Sequence, residues 1–235
     1  MSWTIQHPET DDPTTTHHLS RLQSALEKAK KKNILLFASA PDIGASSRTQ
    51  LSNYYPFGRT SITGMFKIGA AKADGTTWGW SGNSDMIDFI LPGHNVSLKN
   101  DDKIYEEDDI PLTGSSVATA LASGLAALII HCVRLGALYN YYHFKGSDNK
   151  STHHTADENT LKAIKEFEIM KEAFKKVSPE YTDKDKRLEV ETFFKKPAKD
   201  LASSTMGEEE KWGTVVQLAR DLVSYNSQTQ VGRGH

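Results

Sequence analysis

Hydrophobic positions along the chain change their spacing several times, and each change marks an element. Residues 1–5 read as a short strand. Leu19, Leu22, Leu26 and Ala29 then recur at helical spacing, which predicts an amphipathic helix over 19–32. Its last turn gathers Lys28 and Lys30–Lys32, where cations suit the helix dipole. The all-apolar Ile34–Phe37 follows as a short buried strand, so residues 1–38 are expected to form a strand–helix–strand unit with parallel strands. Phe66–Ile68 and Met86–Leu91 are further strand candidates, separated by turns at Gly75, Gly79 and Gly82. Ala118, Leu121, Ala122, Leu125, Leu128, Ile129, Cys132 and Leu135 mark one face of a longer helix. Its opposite face is small rather than charged, which predicts burial all round. Leu161, Ile164, Phe167, Met170, Phe174 and Val177 predict one amphipathic helix, and Trp212, Val215, Val216, Ala219, Leu222 and Val223 another.

Composition narrows what these elements can serve. With 28 basic and 30 acidic side chains the formal net charge is −2, so no basic excess exists to neutralise phosphates and no nucleic-acid partner is expected. Residues 110–133 carry no Asp, Glu, Lys or Arg, which raises a transmembrane helix as an alternative. Pro111 and Gly114 break that stretch early, the hydroxyl residues add polarity, and the apolar part is short and alanine-rich; a buried helix is the better reading, with no membrane partner. The single cysteine, Cys132, and the lack of a signal-peptide pattern favour a reducing, cytoplasmic compartment without establishing one. Asp101, Asp102 and Glu106–Asp109 form an acidic loop without calcium-loop spacing, and His153-His154 has no third ligand in register. No metal and no cofactor are expected.

The chemistry concentrates at Thr113-Gly114-Ser115-Ser116. A glycine-led turn passes into the uncharged helix, and Ser116 stands at its start. A first-turn serine offers a hydroxyl beside unpaired backbone N–H donors and the positive end of the dipole. Those are the needs of an acyl-transfer nucleophile with part of an oxyanion hole. An N-cap serine on a core helix would look the same.

Here the sequence resembles the subtilisin-like serine proteases, whose nucleophile motif reads Gly-Thr-Ser-x-Ala-x-Pro. Gly114, Ser116 and Ala118 match it; Ser115 replaces the threonine and Ala120 the proline. Ile34–Gly44 resembles the family strand ending Ala-Ala-Gly-Asn-x-Gly, with Asp42 in place of the asparagine. Gly69-Ala70-Ala71, Trp80-Ser81, Ile87-Asp88-Phe89 and Leu91-Pro92-Gly93 are similar to its next motifs, in order. The resemblance implies an α/β fold, a mostly parallel sheet with helices on both faces. It implies Ser116 as catalytic nucleophile, Asp42 at the oxyanion, and Ser2, Trp3 and Thr4 as the strand that binds an extended peptide or protein substrate. Asp42 departs from a family donor: an ionised carboxylate only accepts hydrogen bonds.

The family's Asp-x-Gly and His-Gly-Thr-His motifs, which carry the other two triad residues, do not occur. The chain is therefore expected to be the C-terminal part of a catalytic domain, with its fold incomplete on the N-terminal side. The expected partner is the missing N-terminal part of a larger protein. A rival reading rebuilds the triad from Asp11 or Asp12 and His17 or His18, in a Pro- and Thr-rich loop. Residues 1–138 form the peptidase-like region, 139–160 a polar loop or linker, and 161–235 a charged helical tail disordered from about 228. The expected function is serine endopeptidase action by resemblance, with this chain inactive by itself. The alternative is a non-catalytic remnant or pseudoenzyme that binds peptides or a partner domain.

Overall fold

A computed structural model describes residues 4–6, 13–44, 51, 53–58, 63–81, 84–97, 111–144 and 156–223. Three strands, β2 (Leu36–Ser39), β4 (Met65–Ala71) and β5 (Phe89–Pro92), form a parallel sheet in the order β2-β4-β5. Register pairs Leu36 with Met65, Phe37 with Phe66, and Ile68 with Phe89. Nearly every residue of these strands is buried, as a parallel sheet covered on both faces requires. Lys186–Leu188 extend the sheet beyond β5: Ile90 N–H donates to the Lys186 carbonyl (2.8 Å) and Leu188 N–H to the Ile90 carbonyl (2.9 Å).

Side chains alternate across the sheet. Leu36, Ala38 and Met65 face helix α1 (Pro13–Lys31) through Leu26, with Leu19 and Leu22 against the same cluster. Phe37, Phe66, Ile68, Ala70, Phe89 and Leu91 face the other way, toward helix α2 (Ser115–Phe144). Ala118, Ala122, Leu125, Ala126, Ile129, Cys132 and Val133 of α2 are buried in that cluster. Helices α3 (Glu158–Ala163), α4 (Phe167–Val177), α5 (Val190–Ala202) and α6 (Glu208–Val223) follow. Phe66 lies at the centre, with ring centroids 4.9 Å from Phe37, 4.5 Å from Phe167 and 5.4 Å from Phe174. The region beyond residue 156 thus packs on the sheet: Met170, Phe174, Leu218 and Leu222 join the same core.

Several expectations are corrected. The N-terminal strand is β1 (Ile5–Gln6), and it pairs antiparallel with β3 (Tyr54–Tyr55) instead of joining the parallel sheet, so the expected strand–helix–strand unit over 1–38 does not form there. Both its residues are exposed, and a single isoleucine does not supply the continuous apolar run a doubly covered strand needs. Helix α1 begins at Pro13, six residues before its apolar periodicity, because proline suits the first helical position. The helix predicted over 161–177 is two, broken around Ile164–Glu166. Helix α5 had no counterpart in the expected elements. Val190, Phe193, Phe194 and Leu201 carry its periodicity, and Pro197 inside it obscures the pattern. Finally, α2 is not buried all round: Leu121 is 42% and Leu128 45% exposed.

Candidate functional site

The carboxyl ends of parallel strands gather their following loops at one edge, where such sheets bind ligands. Here that edge receives Asp42 from beyond β2, Ser81 from the loop after β4, Gly93 from the end of β5, and the start of α2. Gly93 permits the approach. A side chain there would meet Ala70 Cβ at 2.6 Å and the Gly114 carbonyl at 2.9 Å. Gly114 N–H donates to the Gly93 carbonyl (2.7 Å), which joins the turn before α2 to the sheet.

Gly114 has φ +145°, a conformation that favours glycine. A Cβ on it would also lie 3.1 Å from both Asp42 Oδ2 and Ser116 Oγ, so these two side chains flank the same small space. Asp42 accepts the Ser115 N–H through both oxygens, at 3.2 and 3.0 Å. A carboxylate at a helix N-terminus satisfies an otherwise unpaired donor. Burial raises the Asp42 carboxyl above its ordinary value, and the hydrogen bonds from Ser115 offset only part of that. As a carboxylate Asp42 only accepts from the helix; as a neutral acid it also carries one O–H donor.

Ser115, fully buried, is held on its other side. Its hydroxyl lies 3.0 Å from Ser81 Oγ, which accepts the Ala70 N–H at 2.9 Å. The first turn of α2 is thereby tied to β4 and to the loop after β2. Val117 N–H returns to the Gly114 carbonyl (3.0 Å). Ser116 is half-buried, and neither its N–H nor its hydroxyl has a hydrogen-bond partner among the described residues. The start of α2 thus presents one open donor beside one open hydroxyl, the minimal geometry for attack on a carbonyl and capture of its oxygen.

The structure brings Ser116 and Asp42 together. Thr4 is half-buried just before β1; Ser2 and Trp3 lie outside the described residues. His17 and His18 are exposed on α1 rather than in a loop, and their ring contact is with each other, at 5.8 Å. Asp11, Asp12, the acidic loop over 101–109, His153, His154 and the segment from 228 also lie outside the described residues. Among the described residues no cluster of three His, Cys, Asp or Glu could hold a metal. Ser81 was recognised only as part of a motif. Its role in fixing Ser115 comes from a backbone approach that spacing does not encode.

No protein-family model matches the sequence, and no curated protein does. Solved structures do match. A crystal structure of a lanthipeptide protease aligns at a TM-score of 0.52 and 15% identity, over 83% of this chain and 60% of that one. The prenylagaramide maturation protease PagA aligns at a TM-score of 0.47 and 17% identity, over 81% of this chain and 58% of that one. The chain thus spans less than two thirds of the length of either protein. The likeness to the lanthipeptide protease, together with the parallel sheet and its covering helices, shows a subtilisin-like fold.

Proposed function

We propose that this chain is the nucleophile-bearing part of a subtilisin-like serine endopeptidase, inactive without an acid–base pair from outside the described residues. The observation that carries this reading is the start of α2, where Ser116 presents an unpartnered hydroxyl and N–H beside Asp42. In the reaction, Ser116 Oγ attacks the scissile carbonyl while its proton passes to a base, and the carbonyl π pair moves onto oxygen. The Ser116 N–H donates to that oxyanion. Collapse expels the amine, which takes the proton from the same base, and water then releases the acyl group from Ser116 by the reverse sequence. Asp42 assists only as a neutral acid, since its carboxylate adds like charge beside the oxyanion.

A neutral serine hydroxyl is a poor nucleophile near neutral pH. Among the described residues no imidazole hydrogen-bonds to Ser116, so the base this reaction needs is sought outside them. The test is incubation of the purified chain with a fluorophosphonate probe and with casein. No adduct at Ser116 and no cleavage are expected. Labelling that disappears in Ser116→Ala would contradict the need for an outside base and return His17 or His18 to consideration.

The second reading, a non-catalytic module that binds peptides or a partner domain, has its own support in the exposed apolar side of α2. It differs from the first in one respect: supplying the missing partner would leave Ser116 unreactive.

A further inference from the structure

Ser115 and Ser116 are adjacent and opposite in their bonding. Every polar group of Ser115 is engaged: its N–H donates to Asp42, its hydroxyl meets Ser81 Oγ at 3.0 Å, and its carbonyl accepts the Thr119 hydroxyl at 2.7 Å. Ser116 keeps its N–H and hydroxyl open among the described residues. The peptide joining the two is trans and planar, so the Ser115 carbonyl and the Ser116 N–H point in opposite directions along one rigid unit. Whatever holds Ser115 therefore sets the direction of the Ser116 N–H. Without such ties the end of a helix frays.

Ser81 is itself firmly set. It is buried, its N–H donates to the Trp78 carbonyl (2.9 Å), and the Trp78 N–H donates to the Ala70 carbonyl (2.8 Å), which ties this loop to β4. The Ser81 hydroxyl accepts the Ala70 N–H at 2.9 Å and keeps its own proton. The Ala70 carbonyl lies 3.4 Å away and already accepts from Trp78, so Ser115 Oγ at 3.0 Å is the better partner. Leaving either buried hydroxyl unpaired would be costly, which holds the two together. We propose that Ser81 is a positioning residue: through the Ser115 hydroxyl it fixes the peptide between Ser115 and Ser116 and aims the Ser116 N–H at the place where a reacting carbonyl oxygen gathers charge. It touches no substrate. A donor aimed in advance leaves no reorientation to the transition state. The use of this aim rests on the reading of Ser116 as a nucleophile, but the aim itself is measured without it.

The experiment records residual dipolar couplings of backbone N–H groups, which report their directions, on the nitrogen-15-labelled full chain. Ser115→Ala is the cleanest variant, because it removes the contact with Ser81 and leaves the bond between Ser81 and Ala70 in place. The Ser116 coupling is expected to depart from its wild-type value in Ser115→Ala while those of residues 117–133 hold. Ser81→Ala should shift it in the same way, the double variant should add nothing further, and Ser115→Thr, which restores the hydroxyl, should return it. A Ser116 coupling unchanged in both single variants, or shifts that add in the double variant, would overturn the proposal. So would lowered melting with an unchanged coupling, which would leave Ser81 a structural role alone. Fluorophosphonate addition at Ser116 is then compared in an assembly of the chain with a segment that supplies an aspartate and histidine pair. Ser115→Ala is expected to slow it by about tenfold or more, and Ser115→Thr to recover it. Equal rates for wild type and Ser115→Ala in a reactive assembly would contradict the proposal. Shifted couplings beside an unreactive wild-type assembly would leave the positioning in place and sink the nucleophile reading.

Discussion

Helices α1 and α2 cover opposite faces of one sheet, and their outer sides could hardly differ more. On α1, Arg21, Glu27, Lys28 and Lys31 point to solvent, while Leu19, Leu22 and Leu26 point to β2. That is the pattern of a helix whose far side meets water. On α2 the inner side is equally apolar, but the outer side keeps Leu121 and Leu128 and small residues for its first four turns, up to His131. The sheet requires only an apolar inner face from either helix. Packing on the sheet does not account for the apolar outer side of α2, and Ser116 stands at its start.

The largest expected effect tests the inner side. Phe66, fully buried among four phenylalanine rings, anchors the face that α2 covers. Phe66→Ala is expected to cost roughly 3–5 kcal/mol, read from the urea midpoint. A loss under about 1 kcal/mol would mean that α2 does not depend on this core. Next comes the junction between sheet and site. Gly93→Ala forces a methyl against Ala70 and the Gly114 carbonyl and is expected to cost about 1–3 kcal/mol. The strain falls on the turn that positions Ser116. Unchanged stability would show that the turn and β5 are not in contact.

The outer side of α2 should behave in the opposite way. Leu121→Asp and Leu128→Asp are each expected to cost about 1 kcal/mol or less, well below Phe66→Ala, since both side chains already keep more than two fifths of their surface exposed. A cost comparable to that of Phe66→Ala would erase the distinction between the two sides. The smallest effect is a pH dependence. The fold holds the Asp42 carboxyl above its ordinary value of 3.8, so the neutral form is the one the fold prefers. That preference is fully present below pH 3.8 and is lost as pH rises through the folded value. Asp42→Asn mimics the neutral side chain and keeps an acceptor for the Ser115 N–H. Its stability relative to wild type should therefore rise with pH across that window and level off above it, in urea titrations at several pH values. A pH-independent difference would place the Asp42 carboxyl in an unperturbed environment.

Much of this arrangement was legible in the sequence because it rests on local pattern. Leu36–Phe37, Phe66–Ile68 and the inner positions of Ala118–Val133 each encode a strand or helix through burial, whereas Ile34, expected in the buried strand, precedes β2 and is 53% exposed. The Gly114–Ser116 turn was legible for another reason: φ at Gly114 and the crowding around it admit no side chain. What was hidden depends on distance along the chain. The Ser81–Ser115 hydroxyl contact joins residues 34 positions apart, and the Asp42–Ser115 bond joins residues 73 apart. The exposed side of α2 was also hidden, because small uncharged residues look the same whether a helix is covered by its own chain or by another. Ile5–Gln6 misled for the simplest reason: two residues of extended chain carry no signal of which partner they will pair with.

The most direct measurement of the central claim is fluorophosphonate addition at Ser116, quantified by mass spectrometry on the chain alone and on an assembly of the chain with a segment that supplies an aspartate and histidine pair. The account predicts a Ser116 adduct in the assembly, absent from the chain alone and from the Ser116→Ala assembly. No adduct in a verified assembly, or an equal adduct in the isolated chain, would contradict it.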